Sequence, residues 1–145
     1  MYAVTRMNQV NIMQKIQGMQ LPPGDMIVIG SGVLDALGLR AAHDIDLVVR
    51  PALFDQLAQD ARWTLGSAHG EAVLRSEQLN AEAWLSWGSD GTPNFDELKQ
   101  SSITIEGIMF TSPAYVLKWK RQHMRPKDIA DIELLEAYLA RVGHA

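Results

Sequence analysis

Two short apolar runs with an acidic triplet between them constrain this fold more than any other feature of the chain. The runs, at residues 26–29 and 45–49, frame the stretch IVIGSGVLDALGLRAAHDIDLVV. Each run is four or five residues long and rich in β-branched side chains, which is typical of buried strands. A glycine-containing turn follows the first run, and Asp44-Ile45-Asp46 opens the second. The pattern predicts a strand, a turn, a short helix and a second strand in direct succession.

The acidic triplet places two carboxylates on one face of the second strand. Side chains two residues apart point the same way and lie about 6.6 Å apart along the strand. Asp44 and Asp46 therefore share a face, while Ile45, Leu47 and Val49 point into the opposite layer. Like charges this close destabilise each other unless a cation lies nearby. Carboxylate oxygens favour a hard divalent cation such as Mg²⁺.

The turn after the first strand reads Gly30-Ser31-Gly32 and opens the predicted helix. Backbone N–H groups at such a turn are free to bind an anion. Taken alone, this tripeptide is usually a plain turn, and a single Asp-x-Asp is usually a solvated acidic pair. Twelve residues separate Ser31 from Asp44, with a strand signal on each side. This combination predicts a site for a nucleoside triphosphate and its Mg²⁺.

The order Gly-Ser, short helix, Asp-x-Asp resembles the signature of the nucleotidyltransferase superfamily typified by DNA polymerase beta, in its minimal bacterial single-domain form. The resemblance implies an α+β fold, a palm-like mixed β-sheet flanked by helices. It also implies transfer of a nucleoside monophosphate from a nucleoside triphosphate (NTP) to a hydroxyl acceptor by a two-metal mechanism, with Mg²⁺ or Mn²⁺. On this basis Asp44 and Asp46 are expected to be catalytic metal ligands, and Gly30 and Ser31 to bind the nucleotide phosphates.

The resemblance also implies a third carboxylate on a neighbouring strand. The best candidate is Glu82, in the predicted strand 79–87, on the face opposite its apolar side chains. We expect Glu82 to be both catalytic and metal-binding, although the family favours Asp there. Glu71 and Asp90 fit a strand less well. If Glu82 is only a solvated strand residue, the chain is a catalytically inactive member of the fold that binds a nucleotide or a partner.

A basic stretch at residues 118–128 contains five cations and a histidine in a chain whose net charge is −4. It is similar to the closing segment of the minimal nucleotidyltransferases. Lys120 and Arg125 are expected to contact phosphates, whereas Asp128 and Asp131 are expected to pair with Arg125 or Lys127. The four tryptophans do not share a spacing and are expected in the core or in pocket walls.

The remaining pattern predicts a single domain spanning residues 1–145, with helices and strands in mixed order. We expect Ser112 to cap a helix that opens with Pro113, and an apolar stripe of Ile129, Ile132, Leu135 and Leu139 on the last helix. Predicted helices are 4–17, 33–39, 51–60, 95–100, one opening at 113, and 126–143; further predicted strands are 72–75, 103–105 and 108–110.

Composition excludes several classes of protein. The 145 residues include no cysteine, which excludes disulfides and thiolate metal sites. No apolar run approaches the about 20 residues that span a membrane, and no signal-peptide pattern is present, so a cytoplasmic location is expected. The expected partners are an NTP and a hydroxyl acceptor, which is a small molecule, a protein or RNA. The toxin component of a toxin–antitoxin pair is a further alternative, and it would bring a protein partner.

Overall fold

The computed structural model describes residues 12–88 and 92–143 as a seven-stranded sheet with helices. Within these ranges no helix is long and apolar enough to cross a membrane. The helices are α1 Ile12–Gly18, α2 Ser31–Ala36, α3 Pro51–Ala58, α4 Phe95–Lys99, α5 Pro113–His123 and α6 Asp128–Arg141, with a 3₁₀ turn at Pro23–Asp25. The strands are β1 Met26–Ile29, β2 Ile45–Val49, β3 Thr64–Ala68, β4 Glu71–Ser76, β5 Ala81–Trp84, β6 Ile103–Ile105 and β7 Ile108–Phe110.

The sheet is mixed and has the order β3-β4-β5-β2-β1-β7-β6. At its centre, β2 runs antiparallel to β1 and parallel to β5, and β1 runs parallel to β7. The β3-β4-β5 and β6-β7 segments add antiparallel pairs at the two sides. This architecture confirms the predicted α+β class with a mixed sheet and helices.

The central strands bury both of their faces, which explains their nearly continuous apolar sequences. All four residues of β1 are buried, and in β2 only Asp46 is not fully buried. One face, with Leu47 and Val49, belongs to the main core. The other face, with Ile29 and Val48, packs in a smaller cluster with Phe95 and Leu98 of α4. Asp46 alternates with Leu47 and therefore emerges on the side of the smaller cluster.

Several predicted boundaries are confirmed because they depend on local chemistry. The β6-β7 hairpin turns at Glu106 and Gly107, which both have positive φ, as a type I′ hairpin turn requires. Helix α5 begins at Pro113, and the Ser112 hydroxyl accepts a hydrogen bond from the Tyr115 N–H. The predicted helix 4–17 lies largely outside the described residues, which show helix from Ile12 onwards.

Three predictions about elements were wrong. Strand β5 is only four residues long, because Asn80 adopts φ +53° before it and the strand ends at Trp84. Trp87 therefore leaves the apolar face to which the pattern had assigned it. Strand β3 was not predicted, since four of its five residues are exposed at the sheet edge and show no apolar alternation. In α6, Ile129 is 51% exposed and does not belong to the buried stripe.

Gly32 serves the packing of α2 against β1. A methyl group added there would lie 2.5 Å from Val28 Cγ1 and 3.0 Å from Ile12 Cδ1. We expect Gly32→Ala to lower the free energy of unfolding by about 1–3 kcal/mol, since overpacking outweighs the gain in helix propensity. Urea denaturation checks this, with Gly18→Ala as the control because its methyl would meet nothing within 4 Å. Equal midpoints for the two variants would contradict the prediction.

Candidate active site

One cleft contains all of the site residues predicted from the sequence. Its volume is about 650 Å³, and it opens on the side of the sheet where Asp46 emerges. Strands β1, β2 and β5, the turn after β1 and the end of α5 all contribute side chains to it. The predicted residues that line it are Gly30, Ser31, Asp44, Asp46, Glu82, Lys120 and Arg125.

The acidic centre of the cleft is built by strand pairing. In the parallel pair of β2 and β5, Asp46 stands directly opposite Glu82, and on its other side it stands opposite Ile29 of β1. Directly opposed residues on neighbouring strands share a face of the sheet. Asp44 lies two residues before Asp46, just ahead of β2, and is exposed to the cleft. The three predicted carboxylates thus line the same cleft.

Asp46 is in an environment that disfavours its negative charge. Burial raises the pKa of Asp46, and the neighbouring charges of Asp44 and Glu82 and a hydrogen bond with Glu82 raise it further. Lys127 lowers this pKa in part, and the result is about 7. Within the described residues Asp46 Oδ1 is buried without a hydrogen-bond partner. A carboxylate placed in this way is poised to hold either a proton or a cation.

Glu82 is held at one side by a basic residue. Arg75 Nε donates a hydrogen bond of 2.7 Å to Glu82 Oε2, and both side chains are partly exposed. In the described part of the chain, no three His, Cys, Asp or Glu side chains gather closely enough to hold a metal ion. Glu71 also lines the cleft and accepts a hydrogen bond of 2.7 Å from the Ser86 hydroxyl. Asp90 lies outside the described residues.

The turn after β1 runs beside the acidic centre. Gly30 has φ +67° and ψ −136°, a conformation that side-chain-bearing residues rarely adopt. A Cβ atom at Gly30 would lie 3.9 Å from Asp46 Oδ2, so the backbone of the turn passes close to this carboxylate. Ser31 begins α2 and lines the cleft next to Gly30. The turn and the carboxylate are therefore neighbours, as predicted.

Lys120 and Arg125 line the cleft, but their charged groups bind carboxylates. Lys120 is only 5% exposed, and its Nζ lies 3.2 Å from Asp128 Oδ1 and 3.1 Å from Asp131 Oδ2. The Arg125 guanidinium donates two hydrogen bonds to Asp128, of 2.8 and 2.9 Å, and the Arg125 backbone N–H donates a third, of 3.1 Å. Arg40 binds Asp131 in the same bidentate manner, at 2.6 and 2.8 Å. We call these five side chains the buried ion network.

The predicted pairing of Asp128 with Arg125 agrees with this network, whereas Asp131 pairs with Lys120 and Arg40 instead of Arg125 or Lys127. Burial alone raises the pKa of Asp128, but the hydrogen bonds from Arg125 and Lys120 outweigh it and leave the pKa well below its usual value. Burial likewise raises the pKa of Asp131, and the hydrogen bonds from Arg40 and Lys120 more than offset it. Both carboxylates are therefore charged at neutral pH, and phosphate contact by Lys120 and Arg125 stays a prediction.

Several residues in or beside the cleft were not assigned a role from the sequence. Lys127 is exposed, lines the cleft and acts electrostatically on Asp46. Its place in the basic stretch was the only signal for it. Arg40 gave no signal, because its partner Asp131 lies 91 positions away in the sequence. Arg75 gave none, because its contact with Glu82, seven positions away, depends on the register between β4 and β5. Trp87 and Trp119 form a wall of the cleft, as expected for tryptophans without a common spacing. His43 is exposed and also lines the cleft.

Comparison with known proteins does not assign this chain to a family. No protein-family model matches this sequence, and no curated protein or solved structure matches the chain significantly. The resemblance to nucleotidyltransferases therefore rests on the Gly30-Ser31 turn, the pair Asp44 and Asp46, and the basic stretch before α6.

Proposed function

We propose that this protein is a nucleotidyltransferase, which moves a nucleoside monophosphate from an NTP to a hydroxyl acceptor. The observation that carries the proposal is the position of Asp46. It stands opposite Glu82 in the sheet, two residues after Asp44, and its carboxylate lies beside the Gly30 turn. Carboxylates next to a turn that offers backbone N–H groups match the needs of phosphoryl chemistry.

A divalent cation fits the chemistry of the acidic centre. Asp46 Oδ1 is buried and has no partner among the described residues, and Asp44 and Glu82 add further negative charge around it. Asp44 and Asp46 would hold Mg²⁺ or Mn²⁺, and Glu82 would join them once it separates from Arg75. When bound, the cation supplies a positive charge that stabilises the phosphate oxygens of the reacting NTP.

The chain's own residues have distinct roles in the proposed reaction. The Ser31 hydroxyl donates a hydrogen bond to a phosphate oxygen, and Gly30 permits the close approach of the triphosphate. The acceptor oxygen forms a bond to the α-phosphorus while the bond from that phosphorus to the bridging oxygen breaks and pyrophosphate leaves. Glu82 takes the proton of the acceptor hydroxyl, as a general base. Lys127, at the cleft, offsets part of the negative charge.

A second candidate is a nucleotide-binding protein without transferase activity. The ion pair between Arg75 and Glu82 favours it, because it engages the proposed base. The absence, within the described residues, of three ligands gathered for one metal ion also favours it. The two candidates differ in what Glu82 does, which makes this residue the best subject for a test.

We expect Glu82→Gln to lower transfer about 10²–10⁴-fold, because it removes the proton acceptor. Binding of the Mg–NTP should change little, since Asp44, Asp46 and the Gly30 turn remain. The assay follows the label of each α-³²P NTP onto RNA, protein and small hydroxyl compounds, and calorimetry measures binding. The matched control is Glu133→Gln, the same change at an exposed position of α6.

The same assay separates the two candidates. Mg-dependent NTP binding without transfer to any acceptor, in the wild type and in an Arg75→Gln variant that frees Glu82, would favour the binding protein. Transfer that persists at the wild-type rate in Glu82→Gln would remove Glu82 from the mechanism.

A further inference from the structure

The buried ion network gives one end of the cleft a surplus of positive charge. Arg40, Lys120 and Arg125 are its three cations, whereas Asp128 and Asp131 are its only two carboxylates. Both carboxylates have lowered pKa values and are charged at neutral pH, so the network keeps one net positive charge. All five side chains line the cleft, and this surplus therefore faces any ligand that enters it.

Lys127 adds a further positive charge at the same end, and it differs from the network cations in having no partner. It lines the cleft and is exposed, and within the described ranges its side chain forms no ion pair and no hydrogen bond. The other cations that line the cleft are Arg40, Lys120 and Arg125, and each is bound to a carboxylate. Among the described residues of the cleft, Lys127 is thus the one cation that is free to bind an anion.

The positive end of the cleft lies beside the proposed metal ligands. Arg40 acts electrostatically on Asp44, and Lys127 acts electrostatically on Asp46. The turn at Gly30, which passes close to Asp46, lines the same cleft. A triphosphate bound at this turn, with its cation on Asp44 and Asp46, would therefore have Lys127 within electrostatic reach.

We propose that Lys127, rather than Lys120 or Arg125, binds the terminal phosphates of the NTP and holds the pyrophosphate that leaves. This inference rests on the proposed function, since it assigns part of the same NTP site. An ammonium group without a partner can donate its N–H bonds to phosphate oxygens at no loss of an existing ion pair. When the bond from the α-phosphorus to the bridging oxygen breaks, its electron pair stays on the pyrophosphate, and Lys127 offsets that added charge.

Lys127 also has a simpler explanation, in which it only balances the charge of the acidic centre. Ligands with different numbers of phosphates distinguish the two. Calorimetry in Mg²⁺ compares ATP, inorganic tripolyphosphate and AMP. We expect Lys127→Met to weaken ATP and tripolyphosphate about 10- to 150-fold, which is the usual effect of one charge-assisted hydrogen bond, and to change AMP little. Lys127→Arg should recover most of the affinity, because it restores the charge.

The matched control is Lys118→Met, the same change at another exposed lysine. Lys118 lies on α5, forms no ion pair with any residue that the structure describes, and does not line the cleft. Lys118→Met should therefore bind tripolyphosphate as the wild type does. Both variants should keep the wild-type free energy of unfolding in urea, since neither lysine is buried or paired, so a loss of binding would not reflect a loss of fold.

Three results would overturn the inference: no tripolyphosphate binding by the wild type, equal losses of tripolyphosphate affinity in Lys127→Met and Lys118→Met, or equal changes for ATP and AMP in Lys127→Met. Tripolyphosphate binding that depends on Lys127, without transfer of label in the α-³²P assay, would support the inference and contradict the transferase. Transfer of label with unchanged tripolyphosphate affinity in Lys127→Met would do the reverse. The two proposals therefore fail in different measurements.

Discussion

Asp46→Asn is expected to abolish transfer and at the same time to make the fold more stable. The variant keeps the size of the side chain but removes a carboxylate that would bind the cation. It also removes a negative charge that is unfavourable in the folded protein. In the wild type, burial and the charges of Asp44 and Glu82 raise the pKa of Asp46 to about 7. Because a pKa unit corresponds to about 1.4 kcal/mol, the gain in free energy of unfolding at pH 8 is up to about 4 kcal/mol. Urea denaturation in EDTA measures it, and the labelled NTP assay measures transfer.

The stability gain of Asp46→Asn should depend on pH in a definite direction. The folded pKa of Asp46 lies above the unfolded value of 3.8, so the folded state binds this proton more tightly. The wild type therefore loses stability as pH rises from about 4 to 7, and the difference between the two proteins is smaller at pH 5 than at pH 8. Asp55→Asn, at an exposed position of α3, is the control and should change neither stability nor transfer. If Asp46→Asn is less stable than the wild type at pH 8, the folded protein stabilises the negative charge of Asp46, which would contradict the prediction.

Lys120→Met is expected to cause the largest loss of stability. Lys120 is the only cation in contact with both Asp128 and Asp131 among the described ion pairs, and all three side chains are buried. Its removal leaves two carboxylates in the interior with less positive charge, for which about 3–5 kcal/mol is the usual cost. The free energy of unfolding in urea at pH 7 measures the loss. The matched control is Arg121→Met, because Arg121 pairs with Glu136 at 2.6 Å on the surface, where an ion pair contributes only about 0–1 kcal/mol.

The buried ion network also predicts the behaviour in acid. The pKa values of Asp128 and Asp131 are lowered in the folded state, so the stabilisation is complete above their unfolded value near 4 and is lost as pH falls below it. The slope of stability against pH below pH 4 should therefore be shallower in Lys120→Met than in the wild type. Equal small losses in Lys120→Met and Arg121→Met at pH 7 would mean that Lys120 is free to bind a ligand, as the sequence alone suggests.

The local part of the candidate site was predictable because it depends on short-range geometry. The alternation of side chains along a strand is enough to place Asp46 and Leu47 on opposite faces of the sheet, and the structure has this arrangement. The need for positive φ at Gly30 and the cap at Ser112 likewise concern neighbouring residues only. The prediction for strand 79–87 was too long because nothing local marks its end at Trp84.

The sequence by itself determined which side chains each strand and helix presents together, since periodicity and capping involve residues a few positions apart. Only the tertiary structure decided their partners. The parallel pairing of β2 with β5 put Glu82 opposite Asp46, and the packing of α6 against α5 put Lys120 beside Asp131. Trp87 reached Trp119 because β5 ends early. Such contacts depend on strand register and helix packing, which join residues far apart in the chain and leave no periodic signal in its sequence.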